Sequence, residues 1–173
     1  MTHALQVGAK NKGDESILIS LLKVPSEERT PSMIHIIKDH IKSLEYFKHL
    51  VLGDDLIKIC RNIELETIHD REVLFEKGDP SDSAYIIIQG TMEIMIEGKE
   101  KLLFYDKKKS IKKLYQGSLF GEIGLLEEGS TRSATCISNG TTYLGVIQNK
   151  YWKLIESNNS NATIFSQDIL SMQ

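Results

Sequence analysis

The sequence has little cysteine, little proline, one tryptophan, no long apolar run and no excess of positive charge. Two cysteines in 173 residues, Cys60 and Cys136, exclude a disulfide-stapled scaffold. Both sit in apolar text and read as buried free thiols. No stretch approaches the roughly 18 apolar residues of a membrane span. The opening MTHALQVGAKNKGDES lacks the basic start and apolar continuation of a secretory leader, so the expected compartment is the cytosol. A formal net charge of -3 argues against a nucleic-acid partner, whose phosphates call for a basic face. The histidines, His3, His35, His40, His49 and His69, nowhere pair at ligand spacing in the later part of the chain. No metal site is expected, and with it falls a metal-dependent barrel enzyme.

What is present is enough apolar residue, 40%, to bury a core, in a length that suits one domain with an extension. Residues 1–31 are weakly patterned, broken by Pro25 and Pro31, and read as a partly ordered tail in which ILISLL (17–22) is a short docking element. Residues 32–62 read as helical. Ile34, Ile37, Ile41 and Leu44 recur at three- and four-residue spacing, with Ser32 as candidate N-cap, and LGDDLIKICRNI gives a second helix. From 63 to 147 the period falls towards two. Eight short runs separated by Gly, Asp or Asn predict eight strands, with the lysine-rich YDKKKSIKK as a solvated hairpin loop. Residues 148–173 return to helical spacing, in NKYWKLIES and again after NNSNA. The expected class is mainly β with flanking helices.

One stretch departs from this pattern. Phe120 to Cys136, FGEIGLLEEGSTRSATC, sets three glycines, a glutamate among apolar neighbours and one arginine into strand-like text. Gly121 allows close backbone approach. EIGLL reads as a single helical turn whose first amides lack intrahelical partners and suit an anion. Arg132, at the mouth of the next strand, adds a charged fork, which together with such amides makes a phosphate clamp. Glu122 is misplaced beside a phosphate unless its carboxylate accepts from sugar hydroxyls.

The segment 120–135 resembles the phosphate-binding cassette of the cyclic nucleotide-binding domain family, found in kinase regulatory subunits, gated channels and exchange factors. EKGDPSDSAYIIIQG (76–90) is similar to that family's Gly-Asp, Asp, aromatic, Gly pattern, and Gly117 matches the glycine before the cassette. The resemblance implies an eight-stranded β-barrel jelly roll, no catalytic residue, and a regulatory ligand, cAMP or cGMP. It implies that Arg132 pairs with the cyclic phosphate and Glu122 accepts the ribose 2′-hydroxyl. Gly121, Ile123 and Gly124 would line the pocket, with Ala134 close to the phosphate. Ser133 stands where the family carries Thr in cGMP-preferring and Ala in cAMP-preferring domains, which leaves both nucleotides open with cAMP as the default. The helix beginning near Gln148 would relay binding, with the N-terminal helices, to an effector domain or subunit.

Two departures from the family pattern stand out. Glu122 and Arg132 are ten positions apart, one more than the commonest form, so EEGST should bulge with Glu127 and Glu128 towards solvent. The lid that covers the base is short, with Phe165 or Ile169 as its candidate cap. A pocket that has lost its ligand and serves protein docking is the alternative function.

Overall fold

The computed structural model describes residues 12–102, 105–126 and 129–158. Four helices come first: α1 (Lys12–Leu22), α2 (Pro31–Ser43), the single turn α3 (Glu45–Lys48) and α4 (Gly53–Asn62). Eight strands follow: β1 (Glu64–Ile68), β2 (Val73–Phe75), β3 (Ser83–Gln89), β4 (Thr91–Leu102), β5 (Tyr105–Tyr115), β6 (Leu119–Phe120), β7 (Thr135–Ser138) and β8 (Thr142–Gln148). Helix α5 (Asn149–Asn158) leaves directly from β8.

The strands form two four-stranded antiparallel sheets, ordered β1-β8-β3-β6 and β2-β7-β4-β5. First pairs with last, second with seventh, third with sixth and fourth with fifth. That nesting is a rolled-up hairpin, the jelly roll. Strand β3 explains how the layers stack. Its residues Ser83 to Ile88 are all buried, a run too apolar for a strand with one wet face. Ala84, Ile86 and Ile88 belong to the core shared with the helices, whereas Tyr85 and Ile87 belong to the core between the sheets. The two-residue period sends alternate side chains into different cores.

Helix α2 begins one residue before Ser32. Pro31 takes the first helical position, and Thr30 is the N-cap, its hydroxyl accepting from Met33 N at 3.4 Å. The stretch read as part of a loose tail contains α1, with Leu18, Ile19 and Leu22 buried on one face. What anchors it is Arg29, 4% exposed. Its guanidinium donates to Leu22 O (3.0 Å) and Val24 O (2.9 Å) at the end of α1, and to Arg61 O (2.7 Å) and Ile63 O (2.7 Å) at the end of α4. One cation thus satisfies the orphan carbonyls of two helix C-termini, where the helix dipoles favour positive charge. Burial holds its pKa below the usual arginine value.

The lysine-rich stretch is also corrected: YDKKKSIKK is strand, not loop, and lies within β5. Cross-strand pairing carries it, with Glu93 opposite Lys113 and their charged groups 3.4 Å apart across β4 and β5. Both cysteines are free and buried, and burial pushes each thiol up to about 12. Among the described residues no helix is long and apolar enough to cross a membrane, and no cluster of candidate ligands could hold a metal ion.

Candidate functional site

Two loops meet to build the site. The backbone of Arg132 donates to Asp79 O and accepts from Gly78 N, each at 2.8 Å, and Pro80 forms a bridge with Thr131. The Gly-Asp turn is itself closed by Asp79 Oδ2, which accepts from Glu76 N at 2.8 Å. The motif at 76–82 is therefore the mould that sets where Arg132 stands.

The Arg132 side chain is 3% exposed. Nη1 donates to Ser83 O and to Gly121 O, both at 2.9 Å, and Nη2 to Tyr85 Oη at 3.4 Å. The guanidinium carbon lies 4.3 Å from the centre of the Phe75 ring and 5.4 Å from that of Tyr85, within cation–π range of both. Phe120 stacks on Tyr85 at 5.4 Å and closes the aromatic group. Asp82, on the exposed rim, lies 3.6 Å from Nη2. Nε finds no acceptor among the described residues. A buried cationic donor without a partner is costly, so this atom has an open position for an acceptor.

Gly121 has φ +81°, a conformation that side chains disfavour, and a Cβ there would stand 3.0 Å from Arg132 Nη1. The short 3₁₀ turn Ile123–Leu125 follows, with Leu125 buried beneath it. Gly124 packs on Ser81 so closely that a Cβ would come 2.7 Å from the Ser81 Cβ. Glu122 is 7% exposed, and its carboxyl is pushed above the usual range by burial, with Lys112 and Arg132 pulling the other way. Glu122 and Arg132 are not directly ion-paired with each other; the acid paired with Arg132 is Asp82.

A cavity of about 130 Å³ opens here. All seven residues singled out from the sequence line it: Gly121, Glu122, Ile123, Gly124, Arg132, Ser133 and Ala134. The opposite wall comes from the sheet, with Phe75, Ile94, Leu114 and Leu119 apolar and Lys112 polar. The cavity offers a buried guanidinium, a buried carboxylate, glycine backbone and an apolar wall, which suits an anionic, hydroxylated, partly flat ligand. Sequence reasoning missed Phe75, whose strand spacing marks it only as apolar, and Lys112, hidden in text read as a loop. Glu127, Glu128 and the proposed cap residues Phe165 and Ile169 lie outside the described residues. Trp152 is buried in α5 and stacks on Tyr46 at 5.8 Å, away from the cavity lining.

Residues 65–158, more than half of the chain, match the family model of the cyclic nucleotide-binding domain. The chain belongs to the cyclic nucleotide-binding domain family. The cAMP-activated global transcriptional regulator CRP of Salmonella typhimurium is 37% identical over 67 residues, which is 37% of this chain and 28% of that protein. The chain thus covers well under two thirds of the curated relatives it matches. The regulatory domain of Toxoplasma gondii PKA, solved with cAMP, superposes with a TM-score of 0.67 at 19% identity, over 80% of this chain and 50% of that one. The sensor domain of the transcriptional regulator DNR from Pseudomonas aeruginosa gives 0.65 at 18% identity, over 82% of this chain and 90% of that one. At such identities the superpositions show a shared fold. The family match covers the cavity, the loop at 76–82 and α5, so the jelly roll described above is that of a cyclic nucleotide-binding domain.

Proposed function

We propose that this cyclic nucleotide-binding domain is a sensor that takes cAMP or cGMP into the cavity between the 121–126 turn and Arg132. Arg132 Nε and the neighbouring backbone amides hold the cyclic phosphate. Glu122 accepts from the ribose 2′-hydroxyl. Gly121, Ile123 and Gly124 give the backbone close approach, and Ser133 and Ala134 floor the phosphate end. The relay runs through Asp82. Its carboxylate pairs with Arg132, and its carbonyl accepts from Asn149 N, the first residue of α5, at 2.8 Å. An anion that recruits Arg132 loosens the Asp82 pair and alters the footing of α5. That helix, packed on α4 through Asn158 and Asp55 (2.8 Å), carries the change to an effector domain or subunit.

The observation that carries the reading is the unsatisfied Nε of an otherwise buried and fully braced Arg132, inside a cavity that also presents Glu122. Calorimetric titration with cAMP and cGMP tests it. At least one nucleotide should bind. Arg132→Ala should then lose on the order of 10²- to 10³-fold in affinity, as expected when one partner of a buried charged contact is removed. Unchanged affinity in that variant overturns the assignment. A second reading, a docking domain without nucleotide, is favoured by one observation: both Nη atoms of Arg132 already have protein acceptors. The same titration separates the two, since that reading requires no binding of either nucleotide by the wild-type chain.

A further inference from the structure

Strands β4 and β5 run on past the rest of their sheet. Strand β7 pairs with β4 only from Met92 to Met95, whereas β4 continues to Leu102 and β5 begins at Tyr105. From Ile96 onward the only strand paired with β4 among the described residues is β5, which is itself last in the sheet order. Residues 96–102 and 105–109 thus form a two-stranded ribbon. Five residues of β5 carry it roughly 17 Å past the four-stranded part. Its last register pair is Leu102 with Tyr105, joined through residues 103–104, which lie outside the described residues.

Charge is concentrated on this projection. Residues 97–113 hold seven of the chain's 21 basic residues and three of its 24 acids, a local net charge of +4 in a chain whose total is -3. The remainder therefore carries -7. Lys99, Lys101, Lys107, Lys108 and Lys109 stand on the ribbon itself. Large apolar residues are set beside them. Ile96 at the root is exposed, and so is Ile111, the unpaired residue of a bulge in β5 between Ser110 and Lys112. The far end is the pair of leucine and tyrosine.

We propose that this ribbon docks the domain on an anionic lipid surface, with the five lysines at the headgroups and the Leu102–Tyr105 end in the interfacial layer. Clustered lysines gather at anionic bilayers, and a leucine beside a tyrosine suits the boundary between water and acyl chains. Interfacial elements enter that boundary by only about 5–10 Å, so a ribbon of this length reaches it while the sheets stay in water. The net negative remainder of the chain is repelled by the same surface, which orients the domain with its ribbon foremost. Lysines on an edge strand also guard it against pairing with a foreign sheet, but a guard needs no apolar end. Nucleic-acid phosphates would match the charge and leave Leu102 unused. The proposal does not depend on what the cavity binds.

Flotation of the full chain with phosphatidylcholine vesicles, with and without phosphatidylserine, tests it. Wild type should bind only the vesicles that contain phosphatidylserine. Lys107→Gln/Lys108→Gln/Lys109→Gln should bind them about a hundredfold more weakly, at about fivefold for each lysine removed. Lys23→Gln/Lys58→Gln/Lys153→Gln makes the same change in net charge at exposed positions off the ribbon and should bind as wild type does. Leu102→Ser/Tyr105→Ser should lose about tenfold, the order expected from giving up one buried apolar side chain. Three results overturn the proposal: no binding of wild type to the anionic vesicles, undiminished binding in either ribbon variant, or an equal loss in the matched control. Duplex DNA and polyglutamate are titrated alongside, and capture of either in place of the vesicles overturns it in favour of a nucleic acid or an acidic protein.

Discussion

Asp82 and Arg132 form an ion pair of unequal members: at 3.6 Å, the arginine side chain is 3% exposed and the aspartate 84%. The arginine is fixed by two carbonyls, a tyrosine hydroxyl and two aromatic rings, and does not depend on the acid for its position. The aspartate is held mainly by its backbone. The pair is thus an adjustable contact on a rigid post, and exposed pairs of this kind contribute at most about 1 kcal/mol. Losing it to an incoming anion would cost little, as the proposed relay requires.

Arg132→Lys should fail at the site despite keeping the charge. A lysine cannot reproduce the fork that reaches Ser83 O, Gly121 O and Tyr85 Oη while lying against Phe75. The ligand-free domain should melt at lower temperature, and the thermal upshift given by saturating cyclic nucleotide should disappear. A variant with wild-type melting and wild-type upshift would show that charge alone suffices.

Glu122→Gln should stabilise the empty domain at neutral pH and weaken ligand binding. Burial raises the carboxyl pKa in the folded state. Between the ordinary glutamate value and that raised value, the folded chain holds more protons than the unfolded one, so stability falls as pH rises through the window and the penalty persists above it. The amide has no such penalty. The melting temperature of Glu122→Gln should exceed that of wild type by at least about 2 °C at pH 7, with the gap closing towards pH 4. Melting curves across pH 4 to 8 check both the sign and the window.

Gly124→Ala should disturb the turn through one identifiable neighbour. The new Cβ would meet Ser81 Oγ and stand 2.7 Å from Ser81 Cβ, and part of that clash lies with the stem of the side chain rather than a flexible tip. Affinity for cyclic nucleotide should fall at least about tenfold, the effect of a modest misplacement of binding groups. Adding Ser81→Gly, which removes both clashing atoms, should recover most of it. No recovery in the double variant would place the effect elsewhere.

Arg29→Ala should be among the most damaging substitutions far from the cavity. It leaves the carbonyls of Leu22, Val24, Arg61 and Ile63 without their donor at the ends of α1 and α4. With about 1–3 kcal/mol for each buried group left unpaired, partly relieved by water, a net loss of at least about 3 kcal/mol is expected. Chemical denaturation measures it. Arg29→Lys should recover only a minor part, because three donors on a flexible stem cannot span both helix ends.

The parts legible in the sequence are those with a local signal. Helix α4 follows from Leu56, Ile59 and Cys60 at helical spacing, and β3 from its unbroken apolar run. The cassette is readable because glycine, glutamate and arginine have few other reasons to share a strand-like stretch. What stayed hidden depends on partners distant in sequence. Helix α1 gave a short apolar knot, and the residue that fixes it, Arg29, acts on carbonyls more than thirty positions away. Lys113 of β5 read as loop because its ion-pair partner, Glu93, lies on β4. Phe75 and Lys112 became site residues only once the two sheets faced each other and a bulge turned one lysine inward.

The nesting of the strands also decides where movement is felt. Glu64 lies opposite Val146, and Gln148 donates to Glu64 at 2.6 Å, so the chain enters and leaves the sheet at one corner. Helices α4 and α5 spring from that corner as neighbours. Under the relay proposed above, a tilt of α5 would pass to α4 through Asn158 and Asp55, and a domain attached to either helix would turn on the same pivot.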